Sequence, residues 1–189
     1  MTLFDSLYAQ GLRAIREPRA AAADILALGV PFQIVLSTLV LLAILSVLLD
    51  TLLFAVMGNV EVETQPFRSL VVYLAITGVF SLVVTLVGRW FGGLGSIEDA
   101  LLLVAFLQAM LLPASALQVV LALVSPDLAV LFIFGVALFL FWIQVNFVAA
   151  LHGFQSLGRA FAVTLIASFI VAFAVAPFTV PETMSMSDV

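Results

Sequence analysis

Along the chain, polar residues fall in short clusters separated by five apolar runs, 32–54, 69–87, 100–124, 129–151 and 160–180. At about 1.5 Å per residue, each run is long enough to cross the roughly 30 Å hydrocarbon core of a bilayer as an α-helix. Ahead of them, Leu3, Phe4, Leu7, Tyr8, Leu12 and Ile15 recur at helical spacing, with Asp5, Gln10, Arg13 and Arg16 on other faces. That pattern predicts an interfacial amphipathic helix lying on the membrane. Pro18 suits the first turn of a second short helix that Gly29 can close before Pro31. The polar region is too long for a signal peptide, and the apolar run after it spans the bilayer. The pattern therefore predicts an all-α, polytopic membrane bundle of five transmembrane helices behind an N-terminal amphipathic segment. Its parts are 1–29 (cytoplasmic or interfacial), 30–181 (transmembrane) and 182–189 (a non-cytoplasmic tail).

The polar clusters carry the turn signals. The longest interior one is Arg89-Trp90-Phe91-Gly92-Gly93-Leu94-Gly95-Ser96-Ile97-Glu98-Asp99. In it Ser96 followed by Asp99 reads as a helix cap, the hydroxyl accepting from a first-turn N–H and the carboxylate sitting at the positive end of the helix dipole. Ser125-Pro126-Asp127 makes a tight turn, while Gly58 to Gln65, with Glu61 and Glu63, and His152 to Arg159 are polar connections. Pro113 removes a backbone hydrogen bond to Ala109 inside the third run and is expected to kink it.

Composition excludes a soluble globule: 65% of residues are hydrophobic, 9% are charged and the mean hydropathy is +1.35. Net charge −5, with the arginines scattered, argues against nucleic acid, which requires clustered cations. Absence of cysteine removes disulfides, thiolate metal sites and cysteine nucleophiles, and the single histidine, His152, removes a histidine-rich metal site. The arginines also orient the chain. With the N-terminus inside, Arg13, Arg16, Arg19, Arg89 and Arg159 are cytoplasmic and Arg68 alone lies outside. Five spans then place the C-terminus on the far side of the membrane. Trp90 and Trp142 fall near the cytoplasmic interface, as an aromatic belt requires.

Helices in lipid associate through close backbone approach and polar side chains. The fifth run carries Ala160, Thr164, Ser168, Ala172 and Ala176 at four-residue spacing, a small-residue seam that drifts around the helix and favours a slanted crossing. Thr77, Ser81 and Thr85 make a similar stripe in the second run, and Gln108, Ser115 and Gln118 in the third. All three are expected to face the bundle interior, as interhelical glue or as a polar path. Gln144 and Asn146 can bond to neighbouring helices or line a watery pocket. Asp50 is the one carboxylate inside an apolar run and is expected to pair with Arg68 near the outer face.

Catalytic patterns are lacking. There is no zinc-binding His-Glu-x-x-His, no second intramembrane aspartate to pair with Asp50 and no Gly-x-Ser-x-Gly elbow. Gly93 and Gly95 lack the third glycine and the preceding strand of a dinucleotide loop, so no cofactor, metal or catalytic residue is assigned. Free N–H groups at the Ser96 helix start and nearby Arg89 suit a lipid phosphate, opposed by Glu98 and Asp99. Ser96 and His152 share a side of the membrane, but a helix cap and an interfacial imidazole explain them more simply than a nucleophilic dyad.

Arg16-Glu17-Pro18-Arg19-Ala20-Ala21, Phe91-Gly92-Gly93-Leu94-Gly95-Ser96 before the third span and Leu151-His152-Gly153-Phe154-Gln155-Ser156-Leu157-Gly158-Arg159-Ala160 before the fifth resemble bacterial members of the Yip family. These are Ypt/Rab-interacting membrane proteins with a Yip-one domain. The resemblance covers essentially the whole chain. It implies a five-span protein with a cytoplasmic N-terminus; eukaryotic relatives bind prenylated Rab GTPases and each other in the early secretory pathway and influence membrane shape. Their Asp-Leu-Tyr-Gly-Pro signature is missing, so the resemblance does not carry Rab-type GTPase binding to this chain. The resulting expectation is a non-enzymatic membrane organiser whose partners are lipid, further copies of itself or another membrane protein. The competing class is a small transporter or lipid-handling protein using the intramembrane polar residues.

Overall fold

The computed structural model describes residues 11–58 and 65–179. The first part of the Leu3–Ile15 helix, the Glu61 and Glu63 connection and the acidic tail lie outside the described residues. Residues 11–16 are helical, followed by α1 (Pro18–Ala27), α2 (Phe32–Val56), α3 (Pro66–Trp90), α4 (Ile97–Val124), α5 (Pro126–His152) and α6 (Leu157–Thr179). The last five are long and apolar enough to cross a membrane. Each begins or ends up to three residues beyond its apolar run, because the caps draw flanking polar residues and prolines into the terminal turns.

Local chemistry sets those ends. Pro66 and Pro126 open α3 and α5 in the first turn, where no amide hydrogen is needed. The Ser96 hydroxyl accepts from the Asp99 N–H at 3.1 Å and donates to its carboxylate at 2.7 Å, so the expected cap is present. Two helices close on the same device. At the end of α3 the Gly93 N–H reaches back to the Gly88 carbonyl at 2.9 Å, and past α5 the Phe154 N–H reaches the Ala149 carbonyl at 2.9 Å. Gly92 and Gly153, with φ of 85° and 67°, supply the left-handed turn in each. Helix α4 passes through Pro113 as one continuous element, with that residue exposed.

Neighbour relations trace a ring, α2–α4–α5–α6–α3 and back to α2, with α3 also touching α4 across the middle. Helix α1 lies chiefly on α5. Its seat is made of small residues: Ala14, Ala21 and Ala22 are fully buried, while Leu12 and Ile15 stay exposed. The N-terminal helices therefore do more than lie on a lipid surface; an alanine face with Ile25, 3% exposed, docks on the bundle, while Leu12 and Ile15 point away.

The core is one-sided along the membrane normal. Buried positions run from Val35 to Val47 in α2, Thr77 to Gly88 in α3, Ala100 to Ala105 in α4, Ile143 to His152 in α5 and Ala160 to Val171 in α6. They centre on the half nearer α1, reaching up to about a turn past mid-helix at Ser46, Val47, Thr77 and Val171. Further into the remote half, the buried positions among the described residues are Val119, Ala122 and Ala129. Exposed positions there are large and apolar, such as Leu131 at 70% and Leu138 at 73% exposure, which lipid solvates without cost.

Candidate functional site

The two segments that carry the glycine signatures meet at one end of the bundle. Gly88, Gly93 and Gly95 surround the imidazole of His152, which is 2% exposed. A Cβ on Gly88 would lie 2.1 Å from Nε2, one on Gly93 2.5 Å from Nδ1 and one on Gly95 2.8 Å from Cε1. Only hydrogen fits at these positions, so the glycines are where the backbone wraps the ring rather than where it needs freedom. The Gly95 N–H donates to Nδ1 at 3.2 Å, so Nε2 carries the proton and donates to the Val84 carbonyl at 3.2 Å. These partners assign the neutral Nε2–H tautomer. Phe154 stacks on the ring with centroids 5.2 Å apart.

Side chains from the surrounding elements tie the same knot. Arg89 Nε donates to the Gly95 carbonyl at 3.2 Å, and Arg19 of α1 donates to the Phe154 carbonyl. The Thr85 hydroxyl bonds the Ser81 carbonyl at 2.7 Å and points to the Ser96 carbonyl at 3.5 Å. Thus the α3–α4 hinge and the α5–α6 turn are joined through one buried histidine, and Arg19 ties α1 to the same turn. Both ring nitrogens are engaged and the Ser96 hydroxyl belongs to Asp99, so the pair is not arranged for nucleophilic chemistry. The interfacial imidazole expected from position alone is corrected. The ring is interior because three glycines leave the space for it. Two glycine-rich signatures at the same membrane level were the available signal.

Deeper in the bundle, Thr77, Ser81 and Thr85 are buried along one face of α3, each bonding the carbonyl four residues back. Gln108 Nε2 of α4 donates to the Thr77 hydroxyl at 2.8 Å, leaving Gln108 Oε1 buried and unpartnered. Ser115 and Gln118 are half-buried. Gln144 is half-buried on a void of about 10 Å³ whose other walls are apolar or aromatic. Asn146 is buried and donates to the Trp142 carbonyl at 2.9 Å. Replacing Thr77 and Gln108 together by Val and Leu is expected to leave stability within about 0.5 kcal/mol, whereas Thr77→Val alone, which orphans the amide, costs about 1 kcal/mol. Denaturation of both variants in a mild detergent checks this.

On α6 the buried line is Ala160, Val163, Thr164, Ala167 and Val171, while Ser168 is half-buried and Ala172 and Ala176 are exposed. The four-residue seam leaves the interface because each step turns about 40° past a full helical turn, about 120° by Ala172. Arg159 is exposed in the first turn of α6. Asp50 and Arg68 are both exposed, and their pairing is not among the ion pairs of the described residues, which join Arg13 to Glu17 and to Asp24. The Ser46 hydroxyl bonds the Tyr73 hydroxyl at 3.2 Å, which fixes the facing sides of α2 and α3. One turn on, Asp50 faces the level of Arg68, but Arg68 lies five residues before Tyr73, about 140° round the helix from that side.

A family model, the Yip1 domain, matches residues 12–177. The chain belongs to the Yip1 family. The match takes in α1, all the loops that meet at His152 and almost all of α6, so the Yip1 domain here is the whole bundle and the histidine clasp lies within it. No match is found among curated proteins or solved structures. The Yip1-domain chain is thus a multi-pass integral membrane protein with an all-α fold.

Proposed function

We propose that this Yip1-domain protein is a non-enzymatic organiser of the bacterial inner membrane, acting through helix packing on copies of itself or on another membrane protein. One observation carries the reading: Thr77, Ser81, Thr85, Gln108 and Asn146 each bond to one another or to their own backbone, with only Gln108 Oε1 left over, and the void beside Gln144 is only about 10 Å³. That is room for about one water, not for a solute path. Purification in native lipid discs followed by mass analysis tests it. The expected result is retained protein, as further copies or a partner; a stoichiometric small solute would instead establish transport.

The clasped end, bearing Arg13, Arg16, Arg19, Arg89 and Arg159, is the cytoplasmic end in this proposal, by the bias of short loops toward cations. With no native cysteine to interfere, single variants Arg16→Cys, Gln65→Cys and Arg159→Cys are read with a membrane-impermeant maleimide. In intact spheroplasts Gln65→Cys is expected to react, and the other two only after lysis. The reverse pattern overturns the orientation.

A further inference from the structure

Between α1 and α5 lies an open groove of about 580 Å³, lined by Glu17, Pro18, Arg19, Ala20, Ala23 and Asn146. It is the meeting point of two kinds of surface. Above it, Leu131, Leu138 and Trp142, exposed by 70%, 73% and 46%, form one lipid-facing stripe of α5. That stripe steps at Asn146, four residues past Trp142, into a recess whose floor is this amide, 7% exposed. The recess holds one cation, one carboxylate and one amide in apolar walls of proline and alanine.

Each polar group has capacity left. Arg19 spends one donor on the Phe154 carbonyl and keeps others of its five. Asn146 uses Nδ2 on the Trp142 carbonyl, which leaves Oδ1 as an acceptor. Glu17 makes no capping bond to α1 and meets Arg13 only loosely, at 3.8 Å. We propose that this groove binds the headgroup of a zwitterionic aminophospholipid, its phosphate on Arg19, its ammonium between Glu17 and the Asn146 amide oxygen, and its acyl chains along the Leu131–Trp142 stripe. Balanced charge selects against a purely anionic headgroup, which Glu17 repels. The apolar stripe leading into the recess selects a lipid over a free phosphoester.

The test uses the full chain in discs of equal phosphatidylethanolamine and phosphatidylglycerol with identical acyl chains, with retained lipid counted by native mass spectrometry. Wild type is expected to hold phosphatidylethanolamine about threefold over phosphatidylglycerol, the scale of an exposed charge contact. Glu17→Gln, at an exposed position outside the histidine clasp, is expected to abolish the preference without changing the melting temperature. Equal retention of the two lipids by wild type, a preference for phosphatidylglycerol, or a preference that survives Glu17→Gln overturns the proposal. So does displacement of the lipid by millimolar glycerophosphoethanolamine, which would mark a site for the soluble headgroup. Lipid count and protein stoichiometry are separate peaks, so this result stands or falls independently of the scaffold reading.

Discussion

Gly88→Ala is expected to destabilise the folded protein by about 3 kcal/mol, the upper range for an overpacked core. One methyl group is enough because its carbon would sit 2.1 Å from His152 Nε2, far inside contact distance. The ring cannot step aside. Gly95 and Val84 hold its two nitrogens at 3.2 Å each, Phe154 covers a face, and Gly93 and Gly95 close the remaining directions. Glycine to alanine in a helix normally gains up to about 1 kcal/mol from propensity, so a loss of this size has the opposite sign from the helix rule. Alanine at Gly78, which has open space around it, is the control and is expected to be neutral or mildly stabilising. Unfolding by a denaturing detergent, followed by circular dichroism, distinguishes the two.

His152→Ala is expected to cost a similar amount, about 3 kcal/mol, for a different reason. It opens a cavity at the junction and leaves the Gly95 N–H buried without a partner. The two substitutions should not add. In the double variant the alanine methyl occupies part of the space the imidazole leaves, so its cost should fall below the sum by about 2 kcal/mol, a coupling typical of groups in direct contact. Strict additivity would show that Gly88 and His152 act independently and would remove the clasp as the element joining the hinge and the α5–α6 turn.

Much of this architecture is written plainly in the sequence. Apolar runs bounded by Pro66, Ser96, Ser125 and the glycines give all five spans, since length and capping chemistry are local properties. The hydroxyl stripe of Thr77, Ser81 and Thr85 is likewise local, and its burial follows from the scarcity of other polar groups on α3. What the sequence withholds is azimuth. Asp50 and Arg68 reach the same level but different sides of their helices, and the α6 seam turns away from its partner after Thr164, because rotation about a helix axis is set by neighbours that periodicity does not name. His152 was hidden for a related reason. A histidine at a span boundary reads as interfacial until one knows that glycines some sixty residues earlier have vacated the space around it. The alanine face of α1 escaped notice because small residues register weakly in amphipathic patterns, although they allow the closest backbone approach.

Placing most interior contacts in the half of the bundle that adjoins α1 grades the protein's rigidity with depth. Helix ends remote from the clasp carry few buried positions among the described residues, so local opening should begin there. A fastening at one membrane face with loose rods at the other lets the molecule follow changes in bilayer thickness and leaflet area while its knotted end keeps a constant shape.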